Sequence, residues 1–201
     1  MSQVWYVSYG SNMSLPRFAC YLRGGTPPGG TRRNPGARDP RLPERTVAVD
    51  LPGTVYFAGH SPQWGGGVAF YDHTRPGFTA ARAYLVTAEQ FADVAAQEMY
   101  REPRADDPLV ELVLAPIRDG RHEVGPGRYE TLVDVGRVDG SPLLTFTSPH
   151  GMDHVEHTPP AAAYLAMVAD GLRESRGWDD DQVASYLSSI VDPGRRRRSG
   201  Q

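Results

Sequence analysis

The segment Thr87 to Tyr100 reads TAEQFADVAAQEMY, and one of its carboxylates is placed for chemistry. Thr87 and Gln90 have the spacing of a capping box, which fixes where a helix starts. Phe91, Val94 and Ala95 then form an apolar stripe, and the next helical step lands on Glu98. Glu89 and Asp93 fall on the opposite face, where charged residues meet water. A carboxylate turned toward the core loses solvation, which strengthens its hold on a proton. Such a group suits a base that takes a proton from an ammonium near neutral pH. The alternative is a helix that frays before Glu98 and releases its side chain to solvent.

The second candidate is the turn Tyr9-Gly10-Ser11-Asn12-Met13. It follows the alternating run Val4-Trp5-Tyr6-Val7-Ser8-Tyr9, which has the pattern of a buried strand. Gly10-Ser11-Asn12 reads as a turn in which left-handed backbone turns N–H groups inward. A helix is expected next, with Ser14 as N-cap and Pro16 in its first turn. Strand, polar turn and helix N-terminus together make a cradle for an anion such as a carboxylate.

Three other signals compete. His150, Asp153, His154 and His157 cluster in sequence, and His150 and His154 have the spacing of two ligands on one helix face. Ser148-Pro149 and Thr158-Pro159-Pro160 bracket them, which argues against a regular helix, and the HExxH order is absent. A metal-dependent amidase or deacetylase-like hydrolase is the rival enzymatic reading. Cys20 is expected to be an inert thiol in the first helix. No GxSxG elbow occurs to pair a serine with His60, His73 or His122.

The elements that must position these residues are legible in outline. Strands are expected at Thr46–Asp50 with Thr54–Ala58, Val68–Tyr71, Ala81–Val86, Leu109–Leu114, Glu130–Val135 and Leu143–Phe146. Helices are expected from about Thr87 to Tyr100, Pro160 to Arg176 and Asp180 to Val191. Strands outnumber helices and do not alternate with them, so the fold class is α+β with a curved mixed or barrel-like sheet and flanking helices. One domain over residues 1–194 is expected, followed by a basic disordered tail at 195–201. Residues 24–45, rich in Gly, Pro and Arg, read as a mobile surface loop.

Composition narrows function. All 21 basic residues are Arg, so a lysine Schiff base or a GxxxxGK[ST] phosphate loop is excluded. A net charge of −3 points to neither nucleic acid nor an anionic membrane. The composition is that of a soluble protein, the sequence carries no long apolar run, and cytoplasmic residence is expected. Trp5 and Trp64 are expected in the core or a pocket wall, and a monomer or weak dimer is expected.

Tyr9-Gly10-Ser11-Asn12-Met13 after an N-terminal strand resembles the signature of the γ-glutamylcyclotransferase-like (AIG2-like) family. Two further motifs match in order. Gln63-Trp64-Gly65-Gly66-Gly67-Val68-Ala69-Phe70 and Ala81–Val86 precede the helix that ends at Glu98, and Pro160-Ala161-Ala162-Ala163-Tyr164-Leu165 opens a C-terminal helix. The resemblance covers about residues 4–22 and 52–190. It implies a γ-glutamyl substrate cyclised to 5-oxoproline without a cofactor, with Glu98 as general acid and base. It places the substrate's α-carboxylate on the main-chain N–H groups of Gly10, Ser11, Asn12 and Met13, with the Ser11 and Asn12 side chains assisting, puts Tyr9 in the substrate site, and has Tyr164 shape the pocket or hydrogen-bond the substrate. The loop at 24–45 and the long segment between Glu98 and Tyr164 depart from small members of the family, so the leaving amine is not implied. A family-like protein that binds a small carboxylate without turnover is the non-enzymatic alternative.

Overall fold

The computed structural model describes residues 2–192, and the tail expected at 195–201 lies outside the described residues. β1 (Gln3–Ser8) is central to a six-stranded mixed sheet. Its antiparallel neighbour is β5 (Phe78–Thr87), flanked in turn by β2 (Thr46–Pro52). On its other side β1 runs parallel to β8 (Ser141–Thr147), which pairs with β7 (Thr131–Val138), and β6 (Arg121–Glu123) closes that edge. β3 (Thr54–Ala58) and β4 (Val68–Asp72) form a separate antiparallel pair. The architecture is α+β with a mixed sheet, as the sequence predicts.

β1 is apolar from Val4 to Val7 because both sides of the sheet are covered there. Trp5 and Val7 face α4 (Ala162–Arg176) and α5 (Asp180–Val191), meeting Val168, Leu172, Tyr186 and Ile190. Val4 and Tyr6 face α1 (Leu15–Arg23) and α2 (Ala88–Glu98), meeting Phe18, Leu22, Phe91 and Val94. Each fully buried Leu or Phe among these contributes about 1.5–3 kcal/mol. The capping box of α2 is present, with Thr87 accepting from the Gln90 N–H and the Gln90 side chain accepting from the Thr87 N–H.

Four expectations change. Leu109–Leu114 is not a strand, since Leu109–Leu112 form a short helix, α3. Asp107 and Pro108 supply its start, and the Asp107 carboxylate accepts the Leu109 N–H at 2.9 Å. Residues 24–45 are tied to the fold at two places: Thr31 bonds to the carbonyls of Pro62 and Gln63, and residues 36–41 run along the outer face of α2. There Gly36 donates to Gln97, and Gln90 donates to the carbonyls of Asp39 and Arg41. Asp93, expected at the solvent face, lies under this segment, 1% exposed and paired with Arg38 at 2.9 Å. Ser14 stands at the N-cap of α1, but its side chain makes no cap bond; Glu174 from α4 accepts the Leu15 N–H instead. Among the described residues, no helix is long and apolar enough to cross a membrane.

Candidate active site

The end of β1 and the end of α2 meet in one cleft of about 1030 Å³, counted to its open mouth. Tyr9, Gly10, Ser11, Asn12, Glu98 and Tyr164 all line it. Glu98 is the last residue of α2 and half-buried, so the predicted stripe carries it to the cleft without fraying first. Its Oε1 accepts from Asn12 Nδ2 at 2.9 Å, and the same amide nitrogen donates to the Tyr6 hydroxyl at 3.0 Å. Asn12 Oδ1 is buried with no hydrogen-bond partner.

The turn is braced from below. The Tyr84 hydroxyl donates to the carbonyls of Asn12 and Met13, and Arg82 donates to the Met13 carbonyl while pairing with Glu174 at 2.8 Å. The Tyr9 hydroxyl reaches the Phe146 carbonyl at 2.9 Å. Met13 does not line the cleft: its side chain is fully buried, and its N–H is spent on the Gly10 carbonyl at 3.0 Å. The main-chain cradle expected through Met13 is therefore shorter than the sequence implies.

Gly10 also differs from its expected reason. With φ −125° it is not left-handed. A Cβ there would instead collide with the Tyr164 hydroxyl, so glycine is needed for close approach. That hydroxyl accepts the Ser11 N–H at 3.3 Å. Burial pushes the Tyr164 hydroxyl well above its ordinary range, so it keeps its proton and serves as a donor rather than a base.

The sequence reading missed Arg17. It sits on the buried stripe of α1 with Phe18, Tyr21 and Leu22, and a cation on such a stripe is the signal that marks it. Its Nη2 donates to the Tyr21 hydroxyl at 2.8 Å, and its guanidinium lies 4.3 Å from the Tyr21 ring centre and 5.7 Å from that of Trp64. Trp64 packs edge-on against Tyr164 and lines the cleft, whereas Trp5 is in the core. Arg32 and Arg128 flank the half-exposed Tyr100 ring at the mouth, at 4.4 and 5.6 Å.

No protein-family model matches the sequence. A solved gamma-glutamyl cyclotransferase superposes with a TM-score of 0.54 over 94% of this chain and 88% of its own, at 14% identity. The chain has the γ-glutamylcyclotransferase fold. An uncharacterized Homo sapiens protein, loc79017, shares this fold with a TM-score of 0.55, 14% identity and coverage of 94% and 89%. YkqA from Bacillus subtilis does so with 0.51, 16% identity and coverage of 94% and 55%. Among curated proteins, histone deacetylase 5 of Arabidopsis thaliana is 31% identical over 205 residues. That match takes in 94% of this chain but 31% of the relative, so the chain spans about a third of that protein's length.

The deacetylase name lends nothing to the metal-hydrolase alternative. No regular helix joins His150 and His154, as the bracketing prolines predict, and only Met152–His154 make a single 3₁₀ turn. His157 stacks on Tyr56 and reaches the Met152 carbonyl. Among the described residues, no three His, Cys, Asp or Glu side chains are grouped to hold a metal ion.

Proposed function

We propose that the chain is a γ-glutamylcyclotransferase-type enzyme that converts a γ-glutamyl amine or peptide to 5-oxoproline and the free amine. The observation that carries this is the hydrogen bond joining Asn12 of the turn to Glu98, 86 residues apart, inside one cleft. Glu98 takes a proton from the α-ammonium, and the freed amine attacks its own γ-carbonyl carbon. The C–N bond to the leaving group then breaks as Glu98 returns the proton to the departing nitrogen, and the second proton shed by the ring nitrogen passes to the released amine, which leaves as an ammonium. Nucleophile and carbonyl belong to one molecule, and well-oriented reactions of this kind reach effective molarities of about 10⁵–10⁸ M. The protein's tasks are to hold the bent substrate, move one proton and steady the oxyanion, for which the Tyr164 hydroxyl and the Ser11 side chain are at hand.

The test is Glu98→Gln assayed for 5-oxoproline against a panel of γ-glutamyl amines. The amide keeps the shape and cannot accept a proton, so kcat falls about 10²–10⁴-fold while binding persists. Undiminished turnover in this variant would remove Glu98 from the chemistry.

A further inference from the structure

Arg17 is 4% exposed, yet among the described residues no carboxylate lies within ion-pair distance of it. Two of its nitrogens, Nε and Nη1, are buried without a hydrogen-bond partner. The other buried arginine is treated differently: Arg82 is satisfied by Glu174, Thr46 and the Met13 carbonyl. A desolvated, uncompensated guanidinium is costly, and an apolar residue of similar volume would serve packing better. Tyr21 and Trp64 hold its plane in position at the cleft, which also carries Glu98. Arg32, Arg33, Arg101 and Arg128 also line the cleft, but of its arginines Arg17 alone is buried, and it forms no ion pair with Glu98.

We propose that Arg17 is the anion receptor of this cleft, holding the α-carboxylate of a zwitterionic amino-acid head whose ammonium goes to Glu98. The assignment rests on the cyclotransferase reading for the identity of that head. It moves the charge that recognises the carboxylate from the turn amides to a side chain. The reason is geometric: the Met13 N–H is already bonded to Gly10, and the Ser11 N–H faces the Tyr164 hydroxyl. Arginine suits the role because it stays charged when buried and stacks on aromatic rings.

The experiment crosses protein variants with ligand variants. Binding of a γ-glutamyl amide and of its α-carboxamide counterpart is measured by calorimetry in the Glu98→Gln background, where turnover does not intrude. With Arg17 present, the carboxylate ligand binds about 10- to 100-fold more tightly, the factor lost with a charge-assisted hydrogen bond. Arg17→Met and Arg17→Gln lower affinity for the carboxylate ligand by that factor and barely change the carboxamide, so the preference collapses. Either neutral variant that folds decides the matter. Ligand-free Arg17→Met should unfold no earlier than the parent, whereas Arg82→Met, which strips a satisfied network, unfolds earlier. Survival of the full carboxylate preference without Arg17, or a loss of stability equal to that of Arg82→Met, would overturn the assignment. If the carboxylate preference depends on Arg17 but the unsubstituted protein makes no 5-oxoproline, the cyclotransferase reading fails and the receptor stands.

Discussion

Replacing Gly10 with alanine isolates a single contact. At φ −125° this position lies outside the left-handed region that favours glycine, so the demand for glycine rests on the contact its Cα makes. A Cβ would lie 3.7 Å from both Ala69 Cβ and Tyr164 Cζ, which is ordinary contact, and it conflicts only with the Tyr164 hydroxyl. That ring cannot swing aside, because Phe57 and Trp64 pack edge-on against it at 6.1 and 6.2 Å. Overpacking of this kind costs about 1–3 kcal/mol. Tyr164→Phe by itself removes the bond to the Ser11 N–H and costs about 1 kcal/mol. In the double variant the methyl group occupies the space the hydroxyl left, so the two penalties do not add, and the coupling energy should be about 1–2 kcal/mol. Urea unfolding of the four proteins measures it directly. In thermal scans Gly10→Ala alone lowers the midpoint by about 2–12 °C, at roughly 2–4 °C per kcal/mol for a domain of this size. If the two substitutions prove additive to within about 0.5 kcal/mol, the close-approach explanation of Gly10 is wrong.

Two further outcomes follow from the braced turn. Gly171→Ala raises helix propensity by about 1 kcal/mol on paper. Its Cβ would nevertheless fall 2.5 Å from the Met13 carbonyl carbon and 2.6 Å from the Ser14 nitrogen, both main chain, so the variant should be less stable by several kcal/mol in calorimetric unfolding. A stabilised variant would mean that α4 and the turn do not touch. Asn12→Ala frees Glu98 Oε1 and should cut kcat about 10- to 100-fold, the worth of a hydrogen bond to a charged group, while circular dichroism stays unchanged. A rise in KM with kcat preserved would instead make Asn12 a contact for ground-state binding.

The sequence exposes what is periodic and conceals what is covered. Helix α2 and Glu98 at its end were legible because Phe91, Val94 and Ala95 set a face and the capping box set a start. Asp93 on the same helix was misplaced, since periodicity describes one helix and not the segment that lies over its outer side. The short helix at Leu109–Leu112 was hidden by its β-branched and leucine-rich composition, although Asp107-Pro108 announces it. Gly10 was recognised as necessary for the wrong reason, because the hydroxyl that demands its smallness comes from a residue more than 150 positions away. Arg17 was overlooked for a similar cause. Its place on the stripe with Phe18, Tyr21 and Leu22 is the one signal in the sequence, and what that cation is for emerges only once Trp64 and Tyr21 are seen to pack on it.

The central position of β1 has a consequence for biosynthesis. β1 is synthesised before both strands that flank it, being matched on one edge by residues 82–87 and on the other by Leu143 and Leu144. Until the latter are synthesised, that edge offers open N–H and C=O groups to any other extended chain. Pairing across such separations is intrinsically slow, because the loop must close before any contact rewards it. Ser11 then waits for Tyr164, 153 residues downstream, before the pocket has its last wall. A nascent chain stalled before that point would carry every element of the turn and of α2, yet have no enclosed site, and it would be most exposed to aggregation along β1.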